Sequence, residues 1–227
     1  MPQEKTSPTV EEYLEAIHSL SSEGKSVIGA RLAECLGVSA PTVTGMLSRL
    51  VRDGLVQLSE RKEIVLTDEG EEVARRTVRR HRLSERLLTD ILGLEWHKAH
   101  EEACRFEHAI SPEVEEKIAS ALGGPTTCPH GNPIPGSGGE VQRGAIPLDR
   151  VSAGETVVVQ RVSEDAERDS RLLEHLQRSK ITPGTTVVVT EVAPYNGTLT
   201  LRVGEGLIYL GLAAAAKVWV VRDDSDA

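Results

Sequence analysis

Between residues 123 and 147 the chain carries Gly123-Gly124-Pro125, then Cys128-Pro129-His130-Gly131-Asn132-Pro133-Ile134-Pro135-Gly136 and further glycines, a stretch that a regular helix cannot cross. Before it, apolar residues recur at helical spacing; after it, β-branched residues alternate with polar ones. The break divides the chain into a helical N-terminal part and a β-rich C-terminal part. Its 227 residues suffice for two cores without disulfides. Cys35, Cys104 and Cys128 are odd in number and scattered, which points to reduced thiols or ligands. The opening Met1-Pro2-Gln3-Glu4-Lys5 has no secretory pattern, and no apolar run approaches the roughly 20 residues a bilayer needs. The expected location is the cytoplasm, with no membrane partner.

Val10, Tyr13, Leu14, Ile17 and Leu20 predict a first helix over about 10–22. A second, over about 28–36, closes at Gly37, and a third opens at Ser39-Ala40-Pro41, where serine suits the cap and proline the first turn. The third turns Val43, Leu47, Leu50 and Val51 inward and leaves Thr42, Thr44, Gly45, Ser48, Arg49 and Arg52 outside. Two short strands, 55–58 and 63–67, flank the polar turn Ser59-Glu60-Arg61-Lys62. The order is helix, helix, turn, helix, wing. Small side chains at Ser39, Pro41, Thr42 and Thr44 allow close approach to base edges, while Arg49, Arg52 and Lys62 suit phosphates of double-stranded DNA.

A net charge of −9 argues against a polyanionic partner for the whole chain, but Lys25, Arg31, Arg49, Arg52, Arg61 and Lys62 cluster locally, and only a local patch need face phosphate. The competing reading is a three-helix protein-interaction domain with an incidental hairpin. The small polar helix face combined with a basic wing favours DNA.

A long helical region follows over about 71–122, interrupted near Gly93. Leu83, Leu87, Leu88, Ile91 and Leu92 offer more apolar surface than an isolated helical pair hides, which predicts a homodimer. Within it, His100, Cys104, Glu107 and His108 recur at helical spacing, and His81 and Glu85 stand four apart on the preceding helix. Thiolate, imidazole and carboxylate together suit a first-row transition metal. Separately, each is an ordinary surface or core residue; their combination on neighbouring helices favours a metal. His18, His97, His130 and His175 lack such company, and Cys128 with His130 reads as structural or incidental in its loop.

Enzymatic readings of the same residues are weaker. His100-Glu101-Glu102-Ala103-Cys104 approaches the zinc-protease pattern, but cysteine replaces the second histidine. A Cys104/His108 nucleophilic pair lacks a recognisable oxyanion loop. A metalloenzyme is the rival class, and a winged-helix sensor of a small organic ligand the rival within regulation; no organic cofactor is expected.

Beyond the Gly/Pro stretch, Thr156-Val157-Val158-Val159, Thr185 to Val189, Thr198-Leu199-Thr200-Leu201 and Val218 to Val221 predict strands of a small β-barrel, interrupted by a helix near 169–178.

The segments Glu11-Glu12-Tyr13-Leu14-Glu15-Ala16-Ile17, Ser39-Ala40-Pro41-Thr42-Val43-Thr44, 81–90, Glu102-Ala103-Cys104-Arg105-Phe106-Glu107-His108 and Gly131-Asn132-Pro133-Ile134-Pro135-Gly136 resemble the diphtheria-toxin-repressor family of iron- and manganese-dependent regulators over nearly the whole length. The resemblance implies a winged helix-turn-helix over 1–70, a helical metal-binding and dimerisation domain over 71–123, a Pro/Gly-rich linker over 124–146 and an SH3-like, FeoA-like barrel over 147–227. It implies a principal metal site of Glu12, Cys104, Glu107 and His108 and an ancillary site of His81, Glu85 and His100, with Glu167 and Asp169 the nearest candidates from the barrel. The implied activity is metal-dependent repression at operator DNA, with Mn²⁺ or Fe²⁺ as cofactor. A carboxylate at Glu12, where iron-type members often carry methionine, points to Mn²⁺, and Gly45 departs from the glutamine of some members.

Overall fold

Ser7 is extended and Pro8 pre-sets the first turn, so α1 (Pro8–Ser22) starts where a missing amide hydrogen costs nothing. The computed structural model describes residues 6–223; the opening Met1-Pro2-Gln3-Glu4-Lys5 lies outside them. After α1, α2 (Gly29–Leu36) ends at Gly37, whose φ of 65° is the left-handed conformation that glycine adopts without strain. Ser39 caps α3 (Ala40–Arg52), its hydroxyl accepting the Thr42 amide at 3.3 Å. Strands β1 (Val56–Leu58) and β2 (Ile64–Leu66) pair antiparallel to make the wing. Leu14, Ile17, Leu32, Val43, Leu50, Val56 and Ile64 close one core, to which α4 (Asp68–Arg86) contributes Val73 and Ala74.

The chain forms two compact units. One spans the sequence up to Arg80 and adds Glu107–Ala109; the other takes His81–Phe106 and everything from Ile110 onward. In the second unit, α4 runs into a π-helical turn, Leu87–Ile91, and the chain then reaches α5 (Ala99–Phe106) through a short 3₁₀ turn, Trp96–Lys98. Glu107–Ala109 is another 3₁₀ turn, and α6 (Pro112–Ala121) begins at the Ser111 cap. The expectation of one helix carrying His100 through His108 therefore needs correction. The chain tightens into the 3₁₀ turn Glu107–Ala109 after Phe106, and Pro112 keeps Ser111 extended, so α6 is a separate helix.

The Gly/Pro segment is folded against its surroundings. Thr127 bridges Pro133, the Cys128 amide donates to the Asn132 carbonyl at 2.8 Å, and Cys128, His130 and Ile134 are buried. Gly131 has a φ of 91°, and a Cβ there would meet the Gln160 carbonyl oxygen at 2.1 Å. Ile134 packs with Leu83, Ile110 and Ile118 in a small core. Arg82 binds both the Pro133 carbonyl and Glu164, and Arg86 donates to the Thr127 carbonyl at 2.7 Å.

The C-terminal part contains β3 (Ile146–Pro147), β4 (Thr156–Val162), α7 (Glu164–Glu167), α8 (Ser170–Arg178), β5 (Thr186–Ala193), β6 (Thr198–Val203), β7 (Gly206–Gly211), α9 (Leu212–Ala215) and β8 (Val218–Arg222). These strands form an antiparallel sheet in the order β3-β8-β4-β5-β6-β7, SH3-like in fold but open rather than closed. Bulges between Val159 and Arg161 and between Val189 and Glu191 curl it around Val157, Val187, Leu199, Leu201 and Val220, with Leu173 and Leu176 of α8 on the same core. Among the described residues, no helix is long and apolar enough to cross a membrane.

Candidate metal centre

The first cluster forms inside the first unit. Glu11 is buried on α1, where its Oε2 accepts from His108 Nδ1 at 2.8 Å and its Oε1 from Arg80 at 3.1 Å. Burial opposes ionisation of Glu11, but the His108 hydrogen bond and the Arg80 charge outweigh it and hold the carboxyl below its ordinary range. A ring nitrogen that donates must carry the proton, so in the neutral imidazole Nε2 is left with a lone pair. That Nε2 is buried and makes no hydrogen bond, lying 3.3 Å from Glu107 Oε1 and 4.0 Å from Glu12 Oε1. His108 Nε2 facing Glu107 Oε1 at 3.3 Å is an arrangement that a shared proton or a cation satisfies. Cys104 belongs to the other compact unit.

The second cluster lies in that unit. His81 Nε2 is 3.2 Å from Glu85 Oε1 and 3.0 Å from His100 Nδ1, and Glu167 Oε2 is 3.4 Å from the same His100 nitrogen. One donor atom from each of His81, Glu85, His100 and Glu167 falls within 4.8 Å of every other. Helical spacing places His81 and Glu85 on one face of α4; α5 brings His100, and α7 brings Glu167. Burial opposes charge on Glu85, yet His130 and His81 hold its carboxyl well below the ordinary range. Burial likewise opposes protonation of His100, and hydrogen bonds with Cys104, Glu167 and Glu85 raise its pKa well above the ordinary value.

His130, set aside in the sequence, sits beside this cluster. Its Nε2 faces the Trp96 carbonyl at 3.2 Å, while buried Nδ1, without a hydrogen bond, is 3.2 Å from Glu85 Oε1. Glu85 Oε2 is also buried without a hydrogen-bond partner. Glu85, Cys128 and His130 make a further three-donor group. Asn132 donates to both Glu167 and the Val162 carbonyl and so holds the barrel carboxylate in place. Of the two barrel candidates, Glu167 faces His100, whereas Asp169 caps α8 by accepting the Leu172 amide at 3.1 Å. The overlooked signals were Cys128-Pro129-His130 inside a segment read as a linker, and Glu11 directly beside Glu12.

Buried donors of both acid and imidazole type, with unpaired oxygen and nitrogen atoms aimed inward, fit a divalent transition metal. They do not assemble a nucleophile with an oxyanion hole.

The DNA-facing candidates lie on one helix and its wing. Ser39, Pro41, Thr42 and Thr44 are exposed over the first turns of α3, and Thr44 returns its hydroxyl to the Ala40 carbonyl at 3.0 Å. Arg49 and Arg52 both reach Asp53, at 3.4 and 3.2 Å, and exposed Lys62 sits in the wing turn with a φ of 59°.

Three family models match along the chain: the iron dependent repressor N-terminal DNA binding domain over residues 5–64, the iron dependent repressor metal binding and dimerisation domain over 67–136, and the FeoA domain over 146–222. The iron-dependent repressor IdeR of Mycobacterium bovis is 39% identical over 199 residues, covering 83% of this chain and 86% of that protein. The diphtheria toxin repressor of Corynebacterium efficiens is 49% identical over 128 residues, 56% of each chain. Among solved structures, a manganese-dependent transcriptional repressor in complex with manganese superposes with a TM-score of 0.83 at 32% identity, covering 94% of this chain and all of that one.

Proposed function

Because the chain belongs to the diphtheria-toxin-repressor family of metal-dependent transcriptional repressors, regulators rather than enzymes, we propose that it is a cytoplasmic repressor activated by Mn²⁺ that binds double-stranded operator DNA as a homodimer. The carrying observation is the bare, buried His108 Nε2 between Glu107 and Glu12. In this reading Glu12, Cys104, Glu107 and His108 hold the principal ion. His81, Glu85, His100 and Glu167 hold the ancillary one, with His130 and Cys128 as additional donors beside Glu85. Neither a membrane nor an organic cofactor is needed.

A bound divalent cation would place positive charge beside these carboxylates and accept the imidazole lone pairs. The protein supplies the alignment. Arg80 holds Glu11, Glu11 fixes the tautomer of His108, and Nε2 is thereby turned to Glu107 and Glu12. Glu12 stands on the first helix of the DNA-binding region, whereas Glu107 and His108 stand on the turn between α5 and α6. A donor set shared by these elements makes the placement of α1 depend on metal supply. Ser39, Pro41, Thr42 and Thr44 read bases, and Arg49, Arg52 and Lys62 contact phosphates.

Manganese is favoured by the carboxylate at Glu12 and by likeness to the manganese-dependent repressor. The soft donor Cys104 and the iron-dependent relatives favour Fe²⁺ as the second reading. The test is anaerobic titration of metal-stripped protein with each ion, following anisotropy of duplexes enriched from a random pool. Binding should appear with Mn²⁺ and vanish with chelator. Half-activation at lower free Fe²⁺ than Mn²⁺ would assign iron, and binding indifferent to chelator would end the metal-switch reading. Glu12→Gln should need more metal: about 2 kcal/mol against the active state changes a small competent population roughly thirtyfold.

A further inference from the structure

Glu167 reaches the cluster of His81, Glu85 and His100 from the barrel, and a chain of hydrogen bonds leads back from it to the sheet. Arg161 Nη1, on β4, donates to Asn132 Oδ1 at 3.1 Å. Asn132 Nδ2 donates in turn to the Val162 carbonyl at 2.9 Å and to Glu167 Oε1, while the other oxygen of Glu167, Oε2, lies 3.4 Å from His100 Nδ1. Arg161, Asn132 and Glu167 are all buried, and all belong to the second unit. A guanidinium offers only donors, so the asparagine atom facing it is the amide oxygen, and both amide hydrogens are left for the Val162 carbonyl and the carboxylate.

We infer that Arg161 is a positioning residue for the ancillary cation site: anchored on the sheet, it fixes the Asn132 amide and through it aims the Glu167 carboxylate at His100. The inference rests on the assignment of His81, Glu85, His100 and Glu167 to that site given above. Arg161 itself touches neither the ion nor any side chain assigned to hold it; its effect passes through Asn132.

The anchor is held from two sides. The bulge between Val159 and Arg161 sets Arg161 opposite Trp219 of β8, whose ring centroid lies 4.6 Å from the guanidinium carbon, close enough for the positive group to be attracted to the ring face. From the other side the Gly/Pro segment lies directly on β4. The Val162 amide donates to the His130 carbonyl at 2.9 Å, and a Cβ on Gly131 would come within 2.8 Å of the Arg161 Cα. These contacts keep the Asn132 backbone against the strand that carries Arg161. Without the guanidinium, Asn132 Oδ1 becomes a buried acceptor deprived of its donor, a loss the amide relieves by turning toward another donor or water, and its hold on Glu167 loosens.

Asn132 and Asn196 are the chain's two asparagines, the first buried and the second exposed, so selective ¹⁵N-asparagine labelling reports the amide directly by magnetic resonance. In the metal-free full chain the Asn132 side-chain pair should exchange slowly with solvent and carry one proton shifted downfield by the carboxylate. Arg161→Met should shift that pair and speed its exchange while the circular dichroism stays native; an unchanged pair overturns the inference. Trp219→Leu, which removes the ring and keeps the guanidinium, should move the pair in the same direction, and if Arg161→Met does not fold, an unmoved pair in Trp219→Leu overturns it instead. Equilibrium dialysis against Mn²⁺ separates positioning from general damage. Arg161→Met should weaken, by about tenfold, the class of bound ions that Glu167→Gln also weakens, and should add nothing in a Glu167→Gln background. Equal weakening in both backgrounds would make the role of Arg161 merely structural and overturn the inference. If the unaltered chain binds no such class of ions, the ancillary-site reading fails, while the labelled amide still decides whether Arg161 sets Asn132.

Discussion

Glu11 shows how one buried carboxylate governs its exposed neighbour. It touches no proposed metal position, yet it holds His108 Nδ1 at 2.8 Å and so decides which nitrogen faces Glu107 and Glu12. Replacing it with glutamine keeps the shape but lets the imidazole reorient. Outer-shell losses of this kind cost about 10–100-fold in metal affinity, and Mn²⁺ titration of Glu11→Gln should show a weakening in that range. The same carboxyl makes acid sensitivity local. Its folded pKa is depressed below 4.5, so its stabilisation is fully present above that value and is lost as pH falls through the depressed one. Metal-free Glu11→Gln should therefore melt with a shallower acid dependence than the unaltered chain, as measured by melting temperature against pH. A parallel acid limb in both proteins would show that Glu11 gains nothing from Arg80 and His108.

At the scale of elements, α3 and the wing are self-contained. The Ser39 cap, Pro41 in the first turn and inward Val43 and Leu50 build the helix and leave its polar face outside. In the free chain Asp53 accepts from both Arg49 and Arg52. These exposed pairs are worth little and are easily exchanged for phosphate. Arg52→Ala should weaken operator and random duplex alike and reduce the log-log salt slope by about one, whereas Thr42→Ala should change which duplex is preferred. Salt titrations on both duplexes distinguish the two effects; a specificity change with Arg52→Ala and an unaltered salt slope would move that arginine from phosphate to base contact.

At the scale of the whole molecule, the β-rich region is more than an appendage of the helices. Arg82 of α4 binds Glu164 of α7 and the Pro133 carbonyl, Trp96 Nε1 donates to the Pro129 carbonyl at 2.8 Å, and Glu167 completes the cluster on His81, Glu85 and His100. Burial opposes charge on Glu164, and Arg82 overcomes it, holding the carboxyl below its ordinary range. Removing one partner of such a pair strands the other charge, so Glu164→Gln should destabilise the chain by about 3–5 kcal/mol in urea unfolding. Loss of Glu167 and His130 together should weaken metal binding at the Glu85 centre while sparing Glu12. Equilibrium dialysis of the Glu167→Gln, His130→Ala double variant would show this as loss of one class of bound Mn²⁺ and retention of the other.

The amino-acid sequence by itself determined the elements whose causes are local. Ser39 and Pro41 mark the start of α3, Gly37 the end of α2, and β-branched alternation marks strands β4, β5, β6 and β8. His81 with Glu85, and His100 with Cys104, were likewise legible, because four-residue spacing on one helix is a local geometry. Tertiary structure alone decided the rest. Helical spacing carried past Phe106 extended α5 into residues that form a 3₁₀ turn, with Ser111 extended ahead of Pro112. No periodicity relates Glu167 to His100 or His130 to Glu85; their proximity comes from chain reversal through the Gly/Pro segment, where Gly131 packs against Gln160 more closely than any side chain allows. Nor does spacing separate Glu11 from Glu12, adjacent acids on one helix. The packing of His108 and Arg80 around α1 buries the first and leaves the second exposed, and that burial assigns the first to holding the imidazole.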